Sequence, residues 1–194
     1  MTSSARDRLL EAAVAHFAEN GLRDQSLRAI ATAIGSSHRM LIYHFGSREG
    51  LLADVVGVCE AQQRELLGEV ASAIAAGDDP HTLLMAFWHR VLDAGLRFGP
   101  LFFELSVHAM RDEPHARSFR VSLVEPWLEV LTPLLARLGD DGPEAAARGR
   151  LGLAVTRGLI HDALVTGDTE AATAAMEDFL DVVVARPGGE PLPP

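Results

Sequence analysis

Apolar positions recur with a helical period in every segment long enough to judge, and no alternating β-branched run is bounded by hairpin turns; the pattern predicts an all-α chain. A first helix spans about Ser4 to Asn20, with Leu9, Ala13 and Phe17 (joined by Leu10 and Val14) forming one stripe. Asn20-Gly21 ends it, Gly21 being suited to the left-handed position after a helix. Ser26 caps a short second helix in which Leu27, Ile30, Ala31 and Ile34 share a face, and Gly35 stops it. Ser37 caps a third, with Leu41 and Phe45 inward. Gly46 closes that helix, and Ser47 caps a long one running to about Ala76.

Beyond Gly77, Asp79-Pro80 opens a further helix with an acidic cap and proline in the first turn. Gly99-Pro100 is expected to break the chain, a short helix following from about Leu101 to Met110. Pro114 opens another that should kink or break near Pro126, with Pro133 a second candidate. Gly142-Pro143 begins a long helix to about Val165, and Thr166-Gly167-Asp168 turns into a last helix ending before Pro187. The tail PGGEPLPP is too rich in Pro and Gly to fold. Nine or ten helices result, and the organisation expected is a helix-turn-helix domain over residues 1–46, a helical bundle over 47–186 and a disordered tail over 187–194.

Charge sharpens this division. The 194 residues carry a net charge of −10, yet residues 1–50 hold six Arg against five acids, and residues 51–194 hold eleven Arg against twenty-two. An acidic body repels phosphates and leaves the N-terminal module as the face for nucleic acid. No lysine occurs. No stretch longer than ten residues lacks a charged side chain, whereas a membrane-spanning helix needs about twenty apolar residues. The N-terminus has no continuous apolar run of the kind a secretory signal needs. Cys59 is the single cysteine; it cannot form an internal disulfide, and among Val55, Val56 and Val58 it reads as a small hydrophobe in a protein of the reducing cytoplasm.

Two short helices joined by a tight glycine turn are what a helix-turn-helix requires. Ser37 to His44 would form a rod of about 12 Å, comparable to the width of the major groove, roughly 12 Å. Leu41 and Phe45 hold that rod to the core, which leaves His38, Arg39, Met40, Ile42, Tyr43 and His44 pointing elsewhere. A face mixing Arg, His and Tyr with apolar residues is unusual for a solvated helix and suits one that meets bases and phosphates.

The phrase SLRAIATAIGSSHRMLIYHFGSREGLL, Ser26 to Leu52, resembles the DNA-binding signature of TetR-type regulators. Gly35, Leu41, Tyr43, His44, Phe45, Ser47, Glu49, Leu51 and Leu52 fall in register with it without a gap. RGLIHDALVTGD, Arg157 to Asp168, is similar to the family's penultimate helix. The resemblance implies that Ser37 caps the recognition helix beside a phosphate, while His38, Arg39 and Met40 face base edges. Arg39 suits guanine O6 and N7, and Met40 a thymine methyl. It further implies that Tyr43 and His44 donate to phosphates, that Arg48 supplies a phosphate contact where lysine is usual, and that Arg28 reaches the groove. Ser36, Arg39 and Ile42 depart from the usual aliphatic, small and aromatic residues.

The body's large apolar residues cluster in the middle helices, and Trp88, Phe102, His108 and Trp127 are the candidate contacts for a small, largely apolar effector. Gly149, Gly152 and Gly158, with Ala172 and Ala175 on the last helix, would let helices approach closely, and the resemblance implies a four-helix homodimer interface there. The expected partners are double-stranded operator DNA with an inverted repeat, a second copy of the chain and the effector, with repression the expected mode. The alternative class is an all-helical enzyme or interaction module. No His-Glu-x-x-His, Cys-x-x-Cys, paired Glu-x-x-His or Gly-rich phosphate loop occurs, so catalysis, metal and cofactor are not expected.

Overall fold

A computed structural model describes residues 4–20, 25–138, 142 and 145–184. The helices are α1 (Ala5–Asn20), α2 (Leu27–Ala33), α3 (His38–Phe45), α4 (Arg48–Ala75), α5 (Pro80–Met110), a 3₁₀ turn (Pro114–Ala116), α6 (Arg117–Ser122), α7 (Glu125–Arg137), α8 (Ala145–Thr166) and α9 (Thr169–Val184). Among the described residues there is no strand. The cap at Gly21, the helix start at Pro143 and the tail over 187–194 lie outside the described residues.

Local chemistry sets most helix starts. The hydroxyls of Ser26, Ser37 and Ser47 accept from the backbone N–H three residues on, at 3.2, 3.2 and 3.0 Å. Asp79 and Asp168 do the same with their carboxylates at 2.8 and 2.9 Å. Each satisfies a donor that the first helical turn would otherwise leave unpaired. Ser4 and Asp7 cap α1 reciprocally, each side chain accepting from the other's backbone N–H.

The expected break at Gly99-Pro100 is absent: α5 runs unbroken for 31 residues with Pro100 inside it. Proline in a helix interior costs about 3 kcal/mol, through a lost N–H and a clash with the preceding turn. Gly99 before it has no Cβ for the proline ring to strike. The turns beyond bury Leu101 and Leu105 almost completely, and at about 1.5–3 kcal/mol for each side chain that burial outweighs the defect. Pro133 likewise lies within α7. The interruption expected near Pro126 occurs at 123–124, and Pro126 occupies the first turn of α7.

The chain forms two compact units. One comprises the described residues up to Ala61 with Arg97–Ser122; the other comprises Gln62–Leu96 with the described residues from Leu123 on. In the first, Ala13, Phe17, Ile30, Leu41, Leu51 and Phe119 are closed from solvent. In the second, Trp88 is buried and donates its indole N–H to Thr173 Oγ1 at 3.1 Å. At Gly95 of the second unit a Cβ would stand 2.7 Å from a methyl of Ile160, so this glycine sets how closely α5 and α8 approach. No described helix is long and apolar enough to cross a membrane.

Candidate DNA-binding surface

The turn between α2 and α3 follows from Gly35. Its φ of 67° is the left-handed conformation that glycine tolerates best. The N–H of Ser36 bonds to Ala31 O at 2.8 Å and that of Gly35 to Thr32 O at 3.2 Å, so the last carbonyls of α2 are satisfied and the chain reverses sharply. Ser37 then starts α3, whose Leu41 and Phe45 are buried, at 0% and 8% exposure. Those two anchors fix the helix's rotation, so His38, Arg39, Met40, Ile42 and Tyr43 are all exposed, Tyr43 at 79%. His44 is half-buried between the rings of Tyr43 and Phe45. Its Nε2 is buried without a hydrogen-bond partner among the described residues.

Three further contacts seat the helix. Arg6 of α1 pairs with Asp54 of α4 at 2.5 Å, and its guanidinium lies 5.2 Å from the centre of the Phe45 ring. Burial pushes the Asp54 carboxyl up, opposed by the charge and hydrogen bond of Arg6. Arg48 donates its Nε–H to Gln25 O at 2.8 Å, tying the start of α4 to the residue before the Ser26 cap. At Gly50 a Cβ would collide with the Phe45 carbonyl oxygen. None of the three was evident in the sequence, because each pairs residues whose proximity depends on the folded chain. Arg28, in the first turn of α2, is exposed.

The first unit therefore presents a short, capped, rigidly seated helix whose outer face mixes basic, aromatic and apolar side chains. Residues 9–55 match the family model described as bacterial regulatory proteins, tetR family. The HTH-type transcriptional regulator BetI of Paraburkholderia phymatum is 26% identical over 96% of both chains. Residues 9–55 thus carry a tetR-family DNA-binding module, and along nearly its whole length the chain is similar to transcriptional regulators. Solved structures share its fold: a TetR-family regulator from Mesorhizobium loti has a TM-score of 0.68 at 20% identity, covering 95% of this chain and 96% of that one. Thermus thermophilus FadR, a repressor solved with lauroyl-CoA, has a TM-score of 0.63 at 21% identity over 97% and 99%.

The regulator's candidate effector residues divide between the units. Trp88 and Trp127 belong to the second, both buried, with the Arg64 guanidinium 5.8 Å from the centre of the Trp127 ring. Phe102 and His108 belong to the first: Phe102 stacks edge-on to Phe103 and Phe119, and His108 hydrogen-bonds His115 at 2.9 Å.

The five candidate interface residues also separate. Gly149 is buried in the regulator's own core, where a Cβ would touch Leu128 and Leu131 of α7 at 3.4 Å, and Ala172 is 1% exposed. A Cβ at Gly152 would reach Phe179 of α9 at 4.0 Å. Gly158 and Ala175 face solvent. Gly158 shares its side of α8 with the exposed Leu151 (56%), Ala154 and Val165 (72%), and α9 exposes Val182 at 46%. The thiol of Cys59 is pushed up to about 11 by burial and by neighbouring Glu60, so almost none of it is thiolate at neutral pH.

Proposed function

We propose that the regulator is a cytoplasmic homodimeric repressor that binds an inverted-repeat operator and leaves it when a small, largely apolar effector binds. The observation that carries this reading is the outward face of α3, where no exposed side chain is needed by the core. His38, Arg39 and Met40 read base edges, with Arg39 bidentate to a guanine. Ser37, Tyr43, His44 and Arg28 set register on the phosphates, His44 through Nδ1 because Nε2 is turned inward. Arg48 adds positive charge there while bracing Gln25.

Residues 1–46 act as the DNA-binding part, 47–186 as the effector and dimerisation part, and 187–194 take part in neither. The exposed apolar side of α8 and α9, through Leu151, Ala154, Gly158, Val165, Ala175 and Val182, supports pairing with a second copy. Gly149 acts only indirectly, by letting α8 lie close to α7, Ala172 is buried within the chain, and Gly152 faces Phe179 of α9. FadR, of the same fold, is solved with lauroyl-CoA, which supports an effector with an apolar chain; the contacts proposed are Trp88 and Trp127 of the second unit and, separately, Phe102 of the first. The effector acts by preferring one dimer arrangement, and operator DNA weakens it by the same factor. The relatives are regulators, and we assign no catalytic step.

The test is binding of the full chain to its own upstream DNA. A dimer should select half-sites about 34–36 Å apart, one helical turn, and inserting half a turn between them should abolish specific binding. Equal affinity for upstream and unrelated DNA at the same salt concentration would overturn the reading. Release of the bound operator by an apolar small molecule would support the effector assignment; release only by salt would count against it.

A further inference from the structure

We infer that His108, Glu113 and His115 form a binding site for a divalent transition-metal ion of the zinc class. His108 stands in the last turn of α5, His115 in the 3₁₀ turn, and Glu113 just before that turn. His108 Nδ1 and His115 Nε2 are 2.9 Å apart, and Glu113 Oε2 lies 4.0 Å from the first and 3.6 Å from the second. A tetrahedral ion with bonds of about 2.0–2.1 Å places its donors roughly 3.3 Å apart. The three atoms thus mark one face of such a tetrahedron, and movements of under 1 Å would complete it. Two imidazoles with one carboxylate are a set suited to Zn(II) and its neighbours rather than to Mg(II) or Ca(II), which take oxygen donors. The fourth position would be left for water.

The backbone builds this cluster in a defined way. At the end of α5 the N–H of Glu113 bonds to His108 O at 3.1 Å and that of Asp112 to Ala109 O at 3.2 Å. This is the paired closure of a helix whose next residue is left-handed. Asp112 takes that role at φ 57°, and its carboxylate is held by Arg120 at 2.6 Å. The closure brings Glu113 back beside His108, and the 3₁₀ turn returns His115 to the same point. All three side chains are partly shielded, at 22%, 34% and 22% exposure. A second carboxylate, Glu49 in the first turn of α4, is held below the usual carboxylate range by its own backbone N–H, against burial, then by the Ser47 hydroxyl, the Arg48 charge and last by His115.

The site is distinct from the outer face of α3, and it gives His108 a metal-ligand role in place of effector contact. The experiment uses the full chain, stripped with a chelator and titrated with Co(II) as the probe. One Co(II) per chain should bind with the visible absorption of a four- or five-coordinate site, and Zn(II) should displace it. His108→Asn and His115→Gln keep polar side chains yet remove a ligating nitrogen, and each should lose at least about 100-fold in affinity. Without metal these variants should melt with the parent, and only the parent should melt higher in Zn(II). Co(II) bound equally by the parent and the double variant, or no visible band and no change in melting with the parent, would overturn the site. Neither result depends on operator binding.

Discussion

α3 and α8 both expose one side, and they do so with different chemistry. α3 turns out His38, Arg39 and Tyr43 together with Met40 and Ile42. α8 turns out Leu151, Ala154, Gly158 and Val165, flanked by His161 and Asp162. The short helix is positioned by contacts with its own neighbours: a serine cap, a left-handed glycine at each end and two buried anchors. The long one is positioned by packing against α7 and α9, where Gly149 and Ala172 are consumed. An outer face that mixes basic and aromatic side chains with apolar ones suits bases and phosphates. A row of exposed apolar residues on a helix marks a surface for a protein partner.

Three substitutions would break or sharpen this contrast. The largest effect is expected from Leu151→Glu, which replaces the largest side chain of the exposed α8 row with a charge. Sedimentation should show monomers, and operator affinity should fall by orders of magnitude because one recognition helix contacts too few base pairs. An unchanged dimer would move the interface off α8. Arg39→Ala comes next: the stability of the protein should stay within about 0.5 kcal/mol, while discrimination at one base pair weakens by about 1–3 kcal/mol. If competition against singly substituted operators showed every position still equally discriminated, Arg39 would not be reading a base. The smallest effect is Ser37→Ala, which removes the hydroxyl that accepts from Met40. Chemical denaturation should register a loss of about 1 kcal/mol, and a loss well below that would mean that tertiary anchoring alone positions α3.

The sequence is most informative where structure is local. Caps at Ser26, Ser37, Ser47, Asp79 and Asp168 lie where side-chain chemistry places them, and the Leu41–Phe45 spacing fixes which side of α3 faces out. It is least informative where distant residues decide. Pro100 reads as a break until the burial of Leu101 and Leu105 is counted against it. Gly149 reads as an interface residue until Leu128 and Leu131 are found against it. Gly50 carries no signal of its own, since its need for a bare Cα comes from the Phe45 carbonyl. The His108–Glu113–His115 cluster escapes any spacing rule because its geometry is made by a left-handed aspartate.

The placement of the aromatic chromophores has an optical consequence. Both tryptophans, Trp88 and Trp127, are buried in the second unit, whereas the single tyrosine, Tyr43, stands 79% exposed on α3 in the first. Light at the red edge of the near-ultraviolet band is absorbed by indole and not by phenol, so it interrogates the interior of the second unit alone. The chain thus carries a built-in optical label for that unit, and no residue need be changed to use it.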